Sequence, residues 1–258
     1  MAADNYTLIS GVPFDIGGVL VRQPTLHEIF KVIGYDSYSA YIYVVGLTLD
    51  QFFEANKTQL PGLREAFAEM PKELQEQLNI FEVLLAEPSW RALLVKALSF
   101  FVVGDIVFDE ENGRLVVMRD GVDAVMVNSD LFIDIRSFIY QAGCFKAEDE
   151  KPKGFYNKAA KSKYEQLLAL KGERDKQRVK KRDPDMEMWN LIGAVSANSN
   201  CYSLLNIWEL TVFQLYDQFG RISKKKFLDG YASKWAVWGT DKFDFDEWFK
   251  TNSDKKNV

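Results

Sequence analysis

Residues 203–219 read SLLNIWELTVFQLYDQF, and the fold hinges on how they are read. Ile207, Trp208, Leu210, Leu215 and Tyr216 recur at spacings of three and four, which is one face of a helix. Leu204, Leu205, Val212, Phe213 and Phe219 supply a second apolar face. A helix apolar on all sides is either the centre of a domain or the seat of a partner. Read this way, the stretch makes the end of the chain a helical domain built around one long apolar helix. Five of the six tryptophans lie beyond Met186, including Trp235, Trp238 and Trp248.

Upstream the period changes several times. Residues 8–23, LISGVPFDIGGVLVRQ, alternate short β-prone runs with Gly and Pro, the pattern of a hairpin turning near Asp15–Gly18. Thr25 and Glu28 have capping-box spacing and open a helix that stops at Gly34. Further helices are expected from Ser37, from Thr48, over 63–70, over 72–86 and from Pro88. The segment 105–128 then becomes β-branched around Glu111-Asn112-Gly113 and Asp120-Gly121, which predicts a three-stranded meander with tight turns. Asn128 or Ser129 caps a following amphipathic helix that ends at Gly143.

Residues 145–155, FKAEDEKPKGF, are charged and carry Pro and Gly, as linkers do. Residues 157–182 read as a long polar helix stopped by Asp183-Pro184. The expected organisation is an α+β N-terminal domain over 1–144, a charged linker and helix over 145–185, and an aromatic-rich α-helical C-terminal domain over 186–258. The fold class is mostly α-helical α+β.

Composition narrows the function classes. The 258 residues are 47% apolar and 27% charged, enough apolar material for a core. Net charge is −5, so no global attraction to nucleic acid is expected. Cys144 and Cys201 fit no metal spacing and suggest a reducing compartment. No secretory signal opens the chain, and its longest apolar runs are too short or too interrupted to span a bilayer.

Chemistry-bearing motifs are scarce. His27 is the one histidine, so a His-rich zinc site is excluded, and no nucleophile elbow accompanies it. SGVPFDIGG has neither the dinucleotide nor the Walker spacing. Asp244 or Asp246 in DFDEWF is read as a helix N-cap, because Phe245, Trp248 and Phe249 break any calcium-loop pattern. The run 174–182, RDKQRVKKR, offers Arg174, Arg178, Lys180, Lys181 and Arg182 as phosphate contacts. It lacks the interleaved aromatics that stack on bases, and a solvated helix face is the plainer reading. No cofactor, metal or reaction is expected, and the chain is read as a non-enzyme.

Two stretches carry a resemblance. WNLIGAVSANSNCYSLLNIWELTVFQLYDQFGRI (189–222), followed by WAVWG (235–239) and DEWF (246–249), resembles the C-terminal part of tail assembly chaperones from long-tailed bacteriophages of Gram-positive hosts. The opening LISGVPFDIGGVLVRQPTLHEIFKVIGYDSY (8–38) resembles their beginning. The resemblance implies a protein of the host cytoplasm that binds the tape-measure protein during tail morphogenesis and is absent from the mature virion. Tail-tube subunits and further copies of the chain are additional candidate partners, and no membrane is implied. Trp208, Phe213, Tyr216, Trp235 and Trp238 are the expected partner-binding residues. The alternatives are a structural virion protein, such as a tail-completion or baseplate subunit, and a nucleic-acid-associated protein acting through residues 174–182.

Overall fold

The computed structural model describes residues 3–58, 62–119, 122–145 and 187–239. The expected linker and polar helix over 146–185, and the acidic DFDEWF motif, lie outside them. The described residues form a mostly helical α+β fold with two small antiparallel sheets. The chain divides into two compact units, one comprising Met1–Lys146 and Trp208–Asp217, the other Ala147–Ile207 and Gln218–Val258.

The first unit opens with a short helix, α1 (Asn5–Ser10), whose N-cap Asp4 accepts a hydrogen bond from the Thr7 amide at 2.7 Å. The hairpin expected over 8–23 is therefore shorter: β1 (Phe14–Ile16) pairs with β2 (Val19–Val21), and Leu8–Ser10 are helical. A polar cap outweighs the β preference of Leu8 and Ile9. Gly17 and Gly18 both have positive φ, 58° and 89°, as a two-residue primed hairpin turn requires. A Cβ on Gly17 would meet Leu131 at 3.0 Å, so any side chain here is opposed by packing as well as backbone strain.

Thr25 and Glu28 form the expected capping box. The Glu28 amide donates to Thr25 Oγ1 at 3.3 Å, and the Thr25 amide to Glu28 Oε2 at 2.8 Å. A π-type turn, Glu28–Ile33, follows and stops at Gly34. Next come α2 (Tyr35–Gly46) and α3 (Leu49–Ala55), the latter with a second capping box between Thr48 and Gln51. The single helix expected over 72–86 is two, α5 (Lys72–Gln77) and α6 (Ile80–Ala86), preceded by α4 (Leu63–Glu69). Asn79 explains the break: its side chain accepts from the Glu82 amide at 2.9 Å and starts a new helix.

Helix α7 (Pro88–Phe101) is the centre of the unit. Leu94, Ala97, Leu98 and Phe101 are fully buried or nearly so, and α2 packs along it. Helix α8 (Ser129–Ala142) closes the other side with Phe132, Ile135, Phe138 and Ile139, and its N-cap Asn128 accepts from the Leu131 amide at 2.8 Å. Phe132 stacks on Phe81 at 4.8 Å and Phe138 on Phe14 at 5.4 Å. Each such ring contributes about 1.5–3 kcal/mol by burial. The meander is as expected, β3 (Asp105–Asp109), β4 (Arg114–Arg119) and β5 (Val122–Val127), in the order β3-β4-β5. The Arg22 amide donates to the Phe101 carbonyl at 2.7 Å and the Val103 amide to that of Leu20 at 2.8 Å, tying the hairpin to the end of α7.

The decisive stretch 203–219 is not one helix. Ile207–Glu209 make a 3-10 turn, Thr211 sits in an isolated antiparallel bridge with Thr25, and a helix begins only at Val212. The cause is a third capping box: the Gln214 amide donates to Thr211 Oγ1 at 3.3 Å, and the Thr211 amide to Gln214 Oε1 at 2.9 Å. The Leu26 amide donates to the Leu210 carbonyl at 2.8 Å, so two helix starts are joined backbone to backbone. Leu210, Val212 and Leu215 are consequently buried in the first unit.

The second unit contains α9 (Met188–Asn198), which buries Leu191, Ile192 and Val195, and the larger part of α10 (Val212–Trp238).

Candidate partner-binding surfaces

The five expected partner residues fall into two groups. Trp208, Phe213 and Tyr216 belong to the first unit and are each half-buried. The edge of Trp208 meets Phe30 at 6.2 Å, and Lys31 Nζ lies 4.9 Å from the centre of its ring. Phe30 in turn stacks on Tyr35 at 5.3 Å. Such an arrangement fastens Trp208 to the turn that follows the Thr25 cap, through a cation–π contact and aromatic packing. Tyr216 lies in a crowded place. Burial, with smaller contributions from Cys144 and Tyr35, pushes its phenol above the ordinary tyrosine range.

Trp235 and Trp238 belong to the second unit and sit on the distal half of α10, where exposure is high. Trp238 is 70% exposed, Phe227 72% and Val237 74%. At roughly 100° per residue, Phe227 and Trp238 stand within about 20° of one another on the helix, with Val237 flanking them. Leu228, about a quarter-turn away, is buried. Trp189, Leu204 and Leu205 are also exposed in this unit. Phe227 and Val237 were missed at the level of sequence, although the eleven-residue spacing of Phe227 and Trp238 was there to be read.

The same half-helix is basic. Between Gln218 and Trp238, Arg221, Lys224, Lys225, Lys226 and Lys234 stand against Asp229, five cations to one anion. Lys226 Nζ bonds to Asn198 Oδ1 and fastens α10 to the end of α9.

Two hollows in the first unit have different chemistry. One, about 10 Å³, lies among Arg22, Gln23, Tyr38 and Phe101 and has room for a single water at most. The other is an open depression of about 330 Å³ lined by Glu82, Leu85, Arg91, Phe108 and Glu110. Arg91 fills its floor: the guanidinium lies 4.1 Å from the centre of the Phe108 ring and 3.4 Å from Glu110. Neither hollow is lined by Ser, Cys or His among the described residues. His27 is exposed beside the Thr25 cap. No group of three His, Cys, Asp or Glu side chains suited to a metal occurs among the described residues. Arg174, Arg178, Lys180, Lys181 and Arg182, with Asp244 and Asp246, lie outside them.

A family model described as the YomV second domain matches residues 178–252. No curated protein and no solved structure matches the chain. The family match supports a phage-associated protein, and it covers α9 and the exposed aromatic half of α10. Among the described residues no helix is long and apolar enough to cross a membrane.

Proposed function

We propose that this chain is a non-enzymatic tail assembly chaperone of a phage or prophage, acting on the tape-measure protein before the tail tube closes around it. The observation that carries the proposal is the apolar surface of the second unit, Phe227, Val237 and Trp238 on one helix, in the region matched by the phage-associated family. Aromatic side chains of this kind are frequent anchors of protein interfaces. Covering Phe227 and Trp238 with an apolar client would contribute about 1.5–3 kcal/mol each before the cost of ordering the client. A client helix laid against them would have its own apolar face shielded from other copies of itself.

The experiment is affinity purification of the tagged protein from cells making the complete set of phage structural proteins. Mass spectrometry is then applied to the co-purified proteins and to finished particles. Tape-measure protein in the purified fraction, with this chain missing from particles, is the expected result. Fixed stoichiometry in the particles would overturn it and make the chain a structural component of the virion.

A further inference from the structure

We infer that the face of α10 presented by Phe227, Lys234 and Trp238 takes an acidic amphipathic helix, and that Lys234 selects it by pairing with a carboxylate set among the partner's apolar residues. The inference rests on the chaperone reading only in assuming that this face is a client site; it adds what chemistry the client must have.

Three observations support it. Phe227, Lys234 and Trp238 stand at i, i+7 and i+11, within about 40° on the helix. All three are exposed. An ammonium therefore lies between two exposed aromatic residues along the helix. An entirely apolar partner would strip water from that charge without replacing it, which costs several kcal/mol unless the charge is paired. A partner carboxylate opposite Lys234 removes the penalty and fixes register, as a polar residue does in a helix–helix seam.

The surroundings have the same sign. Residues 218–238 carry five cations and one anion, a net of +4, in a chain whose total is −5. Such a local field favours an acidic partner in encounter and in docking. It also disfavours a second copy of the same helix, which would bring +4 against +4.

Other anionic surfaces fit less well. A helix lying on a membrane separates its lysines from its apolar face. Here the basic residues are spread around the helix, Lys234 would enter the hydrocarbon, and Leu228 is already buried. Nucleic acid would be met by phosphate-binding cations, yet Val237 offers nothing to a base or a phosphate.

The test uses the full-length protein and two fluorescein-labelled 21-residue helical peptides. They share one leucine face; in one a glutamate is set within that face, in the other a lysine. Fluorescence anisotropy is expected to show the acidic peptide binding at least about 10-fold tighter. Lys234→Glu is expected to remove most of the preference, with unchanged helix content by circular dichroism. Phe227→Ala with Trp238→Ala is expected to abolish binding of both peptides. Equal affinity for the two peptides, or a Lys234→Glu variant that keeps the original preference, would overturn the inference. Tighter binding to vesicles of anionic phospholipid or to a single-stranded oligonucleotide than to the acidic peptide would overturn it as well. Failure of the chaperone reading shows elsewhere: tape-measure protein then fails to co-purify even while the acidic peptide binds.

Discussion

Replacing Thr211 by valine separates the two ways of reading residues 203–219. In an unbroken helix this is a near-isosteric swap between residues of similar helix propensity, and stability would hardly change. In the structure Thr211 is 4% exposed and its hydroxyl has two duties. It accepts from the Gln214 amide at 3.3 Å and donates to Gln23 Oε1 at 3.4 Å. Loss of an N-cap hydroxyl costs about 1 kcal/mol. Orphaning a buried acceptor costs about 1–3 kcal/mol, and the lower end fits a bond as long as that to Gln23. The sum is about 2 kcal/mol. With a urea dependence of about 2 kcal/mol per molar, the midpoint of the affected transition falls by roughly 1 M. The assay is urea unfolding followed by circular dichroism, on Thr211→Val and on Thr211→Ser, which keeps the hydroxyl. A valine variant within about 0.3 kcal/mol of the parent, or a serine variant equally damaged, would refute the assignment of Thr211 as the start of α10.

Three further outcomes follow from the first unit. A Cβ on Gly46 would lie 1.4 Å from Tyr140 Oη and 2.4 Å from its ring, so Gly46→Ala is expected to lower stability by about 1–3 kcal/mol. Adding Tyr140→Ala should recover part of that loss, and strictly additive effects would count against the contact. Partial burial pushes the Glu28 carboxyl up, but the Arg22 guanidinium and the Thr25 amide and hydroxyl outweigh it, and the net result is a lowered pKa. The stabilisation is then fully present above the unfolded-state value near 4.5 and is lost as pH falls through the lower folded value. Glu28→Gln should therefore be less stable at neutral pH and lose less stability on acidification, as read from thermal melts across an acid series. Cys144 is exposed at the surface, but the desolvation by neighbouring groups, helped by the Asp217 carboxylate, pushes its thiol up to about 11. Near pH 8 a disulfide reagent should therefore label Cys144 slowly, by mass spectrometry of the digested protein, and a fast reaction there would contradict that environment.

Much of the fold is legible from short-range polar signals. Thr25 with Glu28, Thr48 with Gln51, Asn128 and the turn glycines each announce an element whose hydrogen bonds are local. The misread places share a cause. At 207–216 an apolar period running through Leu210 and Leu215 masked the Thr211–Gln214 box, which has the same form as the Thr25–Glu28 box read from the sequence. At Asn79 the cap lay inside a longer helical pattern, and at Asp4 it preceded residues that favour strands. Apolar periodicity reports which residues are buried, whereas a cap reports where a helix begins, and here they disagree. The site shows the same divide. Trp235 and Trp238 are conspicuous by type, but Trp208 looks identical in sequence and is held by Phe30 and Lys31 through contacts nearly 180 residues apart along the chain.

On the proposed function, the exposed face of α10 keeps a tape-measure protein soluble, and co-expression is the direct test. Tape-measure protein is produced alone, with this chain, and with the Phe227→Ala, Trp238→Ala variant, and its soluble fraction is measured. It is expected in the pellet when alone, in the supernatant with the unaltered chain, and back in the pellet with the variant, although the variant itself remains folded. Equal solubility with and without the chain, or full rescue by the variant, would contradict it.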